Sequence, residues 1–165
     1  IEHGAMLDDE AIDMMLEAGT YLVPTLFVVE DIFSRGAETG LSEVSLVKAR
    51  RLAELHSKSF SRAAAAGIKI ALGTDIINEE NHGRSAFELE LMVRHGFSPM
   101  QAIVAATRTS AEVCRIADQV GTLEAGKLAD LLVVDGDPLA DITVLQESSK
   151  MLLVMKEGND IVNRL

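Results

Sequence analysis

Near-continuous apolar segments alternate with helix-like stretches over residues 1–120, and this alternation constrains the fold more than any other feature. Ile68–Gly73, for example, is almost wholly apolar, as strands are in parallel sheets that are covered by helices on both faces. Helical periodicity and capping residues predict helices from Asp9 to Glu17 and from Ser42 to Ala66. We therefore predict three adjacent parallel strands with their carboxyl ends at one edge: Ile1–Gly4, Thr20–Leu26 and Ile68–Gly73.

The chain changes character at Gly121. Before it, helices are expected from Ser85 to His95 and from Ser98, where proline follows at the first helical position. After it, "ADLLVV" predicts a short strand, and the C-terminus predicts an antiparallel hairpin that turns at Glu157–Asp160. We expect two units: an α/β unit over residues 1–120 and a small β-rich unit over residues 121–165.

The long predicted helix provides expectations about burial. Its apolar stripe consists of Val44, Val47, Leu52, Leu55, Phe60 and Ala63. We predict that His56 lies on the exposed side of this helix. His95 ends a later helix and is interpreted as a second surface histidine, because a cation there favours the helix dipole. The stretch "SRGAETG" at 34–40 is expected to be a loop.

Charge and composition exclude several classes of protein. The 165 residues carry a net charge of −11, which argues against nucleic acid or an anionic membrane as a partner. No apolar run is long enough to span a bilayer. The single cysteine, Cys114, rules out a disulfide framework or a cysteine-based zinc site within one chain. We interpret it as a buried structural thiol.

Two predicted strand ends carry side chains that can bind a metal ion, His3 and Asp75. In parallel α/β proteins, functional groups lie where strands end and loops begin. Imidazole and carboxylate both suit zinc, and an aspartate can also move a proton. A strand-end aspartate is nevertheless commonly a turn residue, and a single histidine is commonly structural. Spacing alone leaves both interpretations open.

Four stretches resemble the C-terminal half of the amidohydrolase superfamily, in the branch of imidazolonepropionase-like and Xaa-Pro or Xaa-Arg dipeptidase-type enzymes. They are "IEHGAMLDDEAIDMMLEAGTYLVPTL", "GIKIALGTD", "HGRSAFELELMVRHGFSPMQAIVAATRTSAEV" and "GTLEAGKLADLLVVDGDPLADI". The resemblance implies strands six to eight of a (β/α)8 TIM-type barrel over residues 1–120. It also implies part of a small β-sandwich domain over residues 121–165.

The resemblance also implies a metal centre. His3 matches the metal-binding histidine of strand six, and Asp75 matches the strand-eight aspartate that binds metal and takes a proton from the attacking water. The implied cofactor is one or two divalent ions, with zinc expected. His82 is expected to shape the substrate pocket, and Tyr21, Thr25 and Arg84 are weaker candidates to reach it. Each also has a structural interpretation, as a solvated loop histidine, helix-facing side chains or a surface charge.

We expect a metal-dependent hydrolase that cleaves a C–N bond in an amide, cyclic amide or dipeptide. The family's remaining ligands, an HxH pair on strand one, a strand-four lysine and a strand-five histidine, have no match here. The chain is therefore expected to be an inactive fragment that needs its N-terminal barrel half. We also expect the protein to be cytoplasmic and homo-oligomeric. The alternative is a non-catalytic half or assembly module that pairs with that half or with another copy. A flavodoxin-like domain is disfavoured, because no glycine-rich loop opens a helix.

Overall fold

The computed structural model describes residues 1–35 and 42–165. The helices are α1 (Asp9–Ala18), α2 (Leu26–Arg35), α3 (Glu43–Ala66), α4 (Phe87–Arg94), α5 (Pro99–Val104) and α6 (Ser110–Val113), with a π-helical turn at Ala105–Thr109. Short 3₁₀ helices occupy Glu79–Asn81, Ile142–Gln146 and Ser148–Lys150. The strands are β1 (Leu131–Val134), β2 (Met151–Lys156) and β3 (Asn159–Asn163).

Three extended segments, which contain Glu2, Leu22–Val23 and Ile70, lie side by side and run parallel. Glu2 pairs with Val23, and Leu22 pairs with Ile70. Backbone hydrogen bonds support both contacts, including one of 2.8 Å from the His3 N–H to the Val23 carbonyl. The predicted adjacency and direction of these segments are confirmed, although each pairing is an isolated bridge rather than an extended ladder.

Local capping residues set the ends of several helices, as the sequence predicts. The Asp8 carboxylate accepts the Ala11 N–H at the start of α1, and Gly19 ends that helix with a left-handed φ of 62°. Ser42 caps α3, and Ser98 forms a reciprocal capping box at α5. Such caps satisfy N–H groups that the first helical turn leaves without partners.

Helix α2 corrects the predicted strand Thr20–Leu26. The extended segment stops before Thr25, whose φ is 52°, and the chain is helical from Leu26 onward. The apolar run "LFVV" resembles a strand, but it begins a helix whose first amides are held by a side chain from α4, described below. The first two residues of the expected loop at 34–40 end α2, and the remainder lies outside the described residues.

Helix α3 is present as predicted, and Phe60 and Ala63 of its predicted stripe are buried, but the rest of its burial pattern differs from the prediction. His56 and Ser59 are buried, at 1% and 3% exposure, whereas Val44 and Val47 are 66% and 63% exposed. The expectation that His56 is a surface residue is therefore wrong. Ser59 donates a hydrogen bond of 2.5 Å to the Gly4 carbonyl, so the buried polar face satisfies backbone groups at the end of the first segment.

The core lies between the parallel segments and the helices. Its fully buried side chains include Leu22, Phe27, Phe60, Leu91 and Met92. The expected buried position of Cys114 is wrong, because α6 ends at Val113 and the thiol beyond it is exposed.

The C-terminal residues form an antiparallel sheet in the order β1–β2–β3. Lys156 pairs with Asn159, which confirms the predicted hairpin and its turn. No helix within the described residues is long and apolar enough to cross a membrane.

Candidate functional site

Three residues at the ends of the parallel segments share an unusual backbone conformation. His3, Thr25 and Asp75 have φ values of 64°, 52° and 51°, in the left-handed region. Non-glycine residues rarely adopt it, and it is especially unfavourable for β-branched threonine. Such strain persists only where surrounding contacts enforce it, and it clusters at functional sites. The three segments run parallel, and His3, Thr25 and Asp75 each come after the paired residue of their segment. They therefore lie at the same edge, where the carboxyl ends of the segments meet.

His3 is held by two contacts. Its ring Nδ1 lies 2.7 Å from the Thr25 hydroxyl oxygen, and its backbone carbonyl accepts a hydrogen bond of 2.9 Å from His56 Nε2. The side chain is otherwise exposed. With Nδ1 engaged by Thr25, Nε2 is the ring nitrogen that remains to bind a ligand.

Asp75 follows the third segment at the same edge. The segments approach closely there, because a Cβ at Gly73 would overlap the side chain of Val23 and lie 3.7 Å from a Thr25 methyl. Asp75 is exposed, and it borders a cavity of about 30 Å³ between α2 and the loop 76–81. That volume accommodates a water molecule but not a dipeptide.

The predicted substrate-binding residues occupy different places. His82 and Arg84 are exposed in the loop that follows Asp75, where Arg84 donates a 2.7 Å hydrogen bond to Asn81 and lies over the Phe27 ring. Tyr21 lies near the start of its segment, away from Thr25. Its hydroxyl donates to Glu112 at 2.9 Å and holds the pKa of that carboxyl below its usual range. Roles in substrate binding stay predictions for all three.

Two histidines differ from their sequence interpretation. Burial lowers the pKa of His56, so the neutral ring is favoured, and its Nε2–H donates to the His3 carbonyl. Its Nδ1 is buried and has no hydrogen-bond partner among the described residues. His95 is half-buried, and burial lowers its pKa too, which corrects its interpretation as a charged surface residue.

Sequence reasoning missed Glu88, a fully buried carboxylate on α4. Its two oxygens accept hydrogen bonds of 2.8 and 2.7 Å from the N–H groups of Leu26 and Phe27, the first two residues of α2. Burial raises its pKa to about 7, and the two backbone hydrogen bonds oppose that rise. A signal was present, since Glu88 shares one helix face with the apolar residues Leu91 and Met92 at i+3 and i+4.

The raised pKa of Glu88 predicts a pH-dependent stability. Between pH 4.5 and about 7, the unfolded chain releases this proton while the folded chain retains it. The contribution of protonated Glu88 to the free energy of unfolding is therefore fully present below pH 4.5 and is lost as the pH rises towards 7. At about 1.4 kcal/mol per pH unit, the loss amounts to roughly 3 kcal/mol.

Urea unfolding across this pH range measures that effect. Glu88→Gln should remove this falling component of the free energy of unfolding. Glu90→Gln is the matched control, because Glu90 lies on the same helix but its carboxylate binds Arg94 and Gln146 rather than the amides of α2. Equal pH profiles for the unchanged chain and Glu88→Gln would contradict the assignment.

The described part of the chain contains no group of three or more histidine, cysteine, aspartate or glutamate side chains placed to hold a metal ion. His3 and Asp75 are thus two potential ligands, whereas catalytic zinc sites normally have three protein ligands.

The chain matches the model of the amidohydrolase family over residues 1–161, and it belongs to that family. It is 37% identical to the ochratoxinase of Aspergillus niger over 160 residues, covering 96% of this chain and 32% of that protein. It is 29% identical to the imidazolonepropionase of Symbiobacterium thermophilum over 168 residues, covering 98% and 34%.

A solved structure gives the same relationship. The chain superimposes on a Xaa-Pro dipeptidase with bound methionine in its active site, with a TM-score of 0.86 and 38% identity. The match covers 99% of this chain and 39% of the dipeptidase. The chain therefore spans about a third of the length of the curated relatives it matches. Relatives with hydrolase names support hydrolytic function at the level of the family.

Proposed function

We propose that this chain carries part of the active site of a metal-dependent hydrolase that cleaves a C–N bond. The observation that supports this most directly is the common edge at which His3, Thr25 and Asp75 end three parallel segments in strained conformations. Family membership supplies the reaction class. The substrate class is an amide, a cyclic amide or a dipeptide, in keeping with the relatives named imidazolonepropionase and Xaa-Pro dipeptidase.

The residues present fit a divalent ion, for which we propose zinc, as one or two ions. His3 is exposed, its Nδ1 contacts Thr25, and its Nε2 makes no hydrogen bond among the described residues; a hydrogen bond at one ring nitrogen orients the other towards a metal. Asp75 is exposed at the same edge and would supply a carboxylate oxygen. A bound ion would act as a Lewis acid that lowers the pKa of water, so that hydroxide would be available as the nucleophile at neutral pH.

Asp75 has the catalytic role in this proposal. Its carboxylate would accept a proton from the attacking water and deliver it to the departing nitrogen, which leaves poorly as an anion. His82 and Arg84, exposed in the loop after Asp75, would contact the substrate. Tyr21 is the weakest member of the proposed set, because its hydroxyl is already bound to Glu112.

We further propose that residues 1–120 form part of a (β/α)8 barrel and that residues 121–165 belong to a small β-rich domain. Two ligands are too few for a catalytic zinc site, so the other barrel residues must supply the rest. The 165-residue chain alone would then be inactive. Homo-oligomerisation and a cytoplasmic location stay proposals.

The alternative proposal is a non-catalytic assembly module. The exposed apolar residues Val44 and Val47 on α3 favour it, since such side chains suit contact with another barrel portion or another copy.

Metal analysis and hydrolysis assays distinguish the two proposals. The samples are the 165-residue chain and the product of the complete reading frame that encodes it. We expect the complete product to bind zinc stoichiometrically and to hydrolyse dipeptides or cyclic amides. The variant His3→Ala should lose metal, and excess zinc should partly restore its metal content. The chain alone should bind metal weakly and show no turnover.

Two outcomes would contradict the hydrolase proposal. One is that the complete product contains metal and its His3→Ala variant binds metal with the same affinity as the unchanged protein. The other is a complete product without turnover on either substrate class, which would favour the assembly module. Turnover by the isolated chain with stoichiometric metal would overturn the claim that it is incomplete.

A further inference from the structure

We propose that Glu88 is a positioning residue that fixes the orientation of the His3 ring through the start of α2 and the Thr25 side chain. The inference rests on the proposed function, which gives His3 its role as a ligand. The connection has two contacts: Glu88 binds the first two amides of α2, and the preceding residue, Thr25, contacts His3 Nδ1 at 2.7 Å.

The first step concerns how α2 is capped. Thr25 immediately precedes α2, and at that position a threonine hydroxyl usually accepts a hydrogen bond from an amide of the first helical turn. Here the Thr25 hydroxyl contacts His3, and the first amides of α2 bind the carboxylate of Glu88. Glu88 thus takes over the capping role and frees Thr25 to contact the candidate ligand.

The second step concerns rigidity. Glu88 is fully buried on α4, and both of its oxygens are engaged, so its position relative to α2 is well defined. Thr25 has a φ of 52° and is itself 3% exposed. A β-branched residue holds that conformation only when its surroundings enforce it. The amides directly after Thr25 are anchored by Glu88, which supplies this constraint.

The third step concerns the ring of His3. A hydrogen bond at one ring nitrogen fixes both the orientation and the tautomer, and it determines which nitrogen is available to a metal. The contact with Thr25 engages Nδ1 and leaves Nε2 available. His56 holds only the backbone carbonyl of His3, so Thr25 is the side chain that orients the ring.

The test is nuclear magnetic resonance of the His3 ring nitrogens in the 165-residue chain, without metal and at a pH above the Glu88 pKa of about 7, where its side chain is a carboxylate. Glu88→Gln keeps the size of the side chain, but its amide nitrogen cannot accept an N–H. We expect Thr25 to turn back towards α2, so that the ring nitrogen shifts of His3 move to those of Thr25→Val. Glu90→Gln should leave them unchanged, and Thr25→Ser should retain the original signals.

Unchanged His3 signals in a folded Glu88→Gln chain overturn the proposal. If that variant does not fold, Glu88→Asp replaces it, because the shorter carboxylate cannot reach both amides. A smaller shift in the same direction is then expected, and none overturns the proposal. Leu89→Ala controls for lost stability, because Leu89 is a buried neighbour on α4. A shift of His3 in Leu89→Ala equal to that in Glu88→Gln also overturns it.

The second measurement is zinc affinity of the complete product. We expect Glu88→Gln to weaken zinc binding roughly tenfold, as loss of residues that support metal ligands commonly does. The ring signals require neither metal nor turnover, so the two proposals can fail separately. A His3 shift in a protein that binds no zinc defeats the proposed function alone, whereas zinc binding without a His3 response defeats the positioning role.

Discussion

Replacing Asp75 with asparagine is expected to lower the turnover of the proposed hydrolase by roughly 10²–10⁴-fold, the usual cost of losing a positioned general base. Asparagine has nearly the same size and can offer one oxygen to a metal, but it cannot take up a proton from water. It also tolerates the left-handed conformation with a φ of 51° found at this position. The fold should therefore be preserved while turnover is lost.

Steady-state kinetics and thermal unfolding on the same preparations measure both effects. Asp13→Asn is the matched control, because Asp13 is exposed in the middle of α1 and ends none of the three parallel segments. It should leave turnover and unfolding unchanged. Normal turnover by Asp75→Asn with metal bound would show that Asp75 is a turn residue and not a general base.

Leu22→Ala should give the largest loss of stability, about 2–5 kcal/mol in the free energy of unfolding. Leu22 has no exposed surface and lies in the middle one of the three parallel segments. Its side chain also fills the space beside Gly4, where a Cβ would lie 2.6 Å from Leu22 Cδ1. The truncated side chain would leave a cavity that rigid neighbours cannot fill.

Urea unfolding of the 165-residue chain measures this loss. Single domains are typically stable by about 5–15 kcal/mol, so Leu22→Ala should shift the unfolding midpoint strongly. Leu16→Ala is the control, because Leu16 on α1 is 42% exposed and its truncation leaves little cavity. Similar losses in both variants would contradict the central position given to Leu22.

Elements with local signals were predictable from the sequence. Asp8 and Gly19 cap the two ends of α1, and Ser42 and Ser98 cap the starts of α3 and α5, as predicted. These contacts join residues close together in the chain, so a single sequence contains the information. The same holds for the hairpin that joins β2 and β3.

Helix α2 was not predictable in this way. Its first turn is apolar and partly β-branched, which favours a strand, and its capping group is Glu88, 62 residues from Leu26. A contact at such a distance has no local signature. The burial of His56 on α3 did have a local signal, because His56 lies four residues from both Leu52 and Phe60 and therefore shares their helix face. Its hydrogen-bond partner, the carbonyl of His3, is distant in the chain and has no such signal.

The candidate site was predictable to a similar extent. His3 and Asp75 could be selected because each follows an apolar segment, and parallel pairing places them at one edge. The contact between His3 and Thr25 depends on a left-handed turn that no sequence pattern indicated. The remaining ligands could not be derived, because no third side chain of a metal-binding type joins His3 and Asp75 among the described residues.

The mixed polar and apolar composition of the buried face of α3 matters for protein engineering. A redesign guided by hydrophobicity would keep Val44 and Val47 as core residues and would replace His56 and Ser59 with aliphatic ones. The contacts argue for the opposite choice, because His56 and Ser59 satisfy the carbonyls of His3 and Gly4. Mutations meant to reduce self-association of the isolated chain should therefore be directed at the two valines.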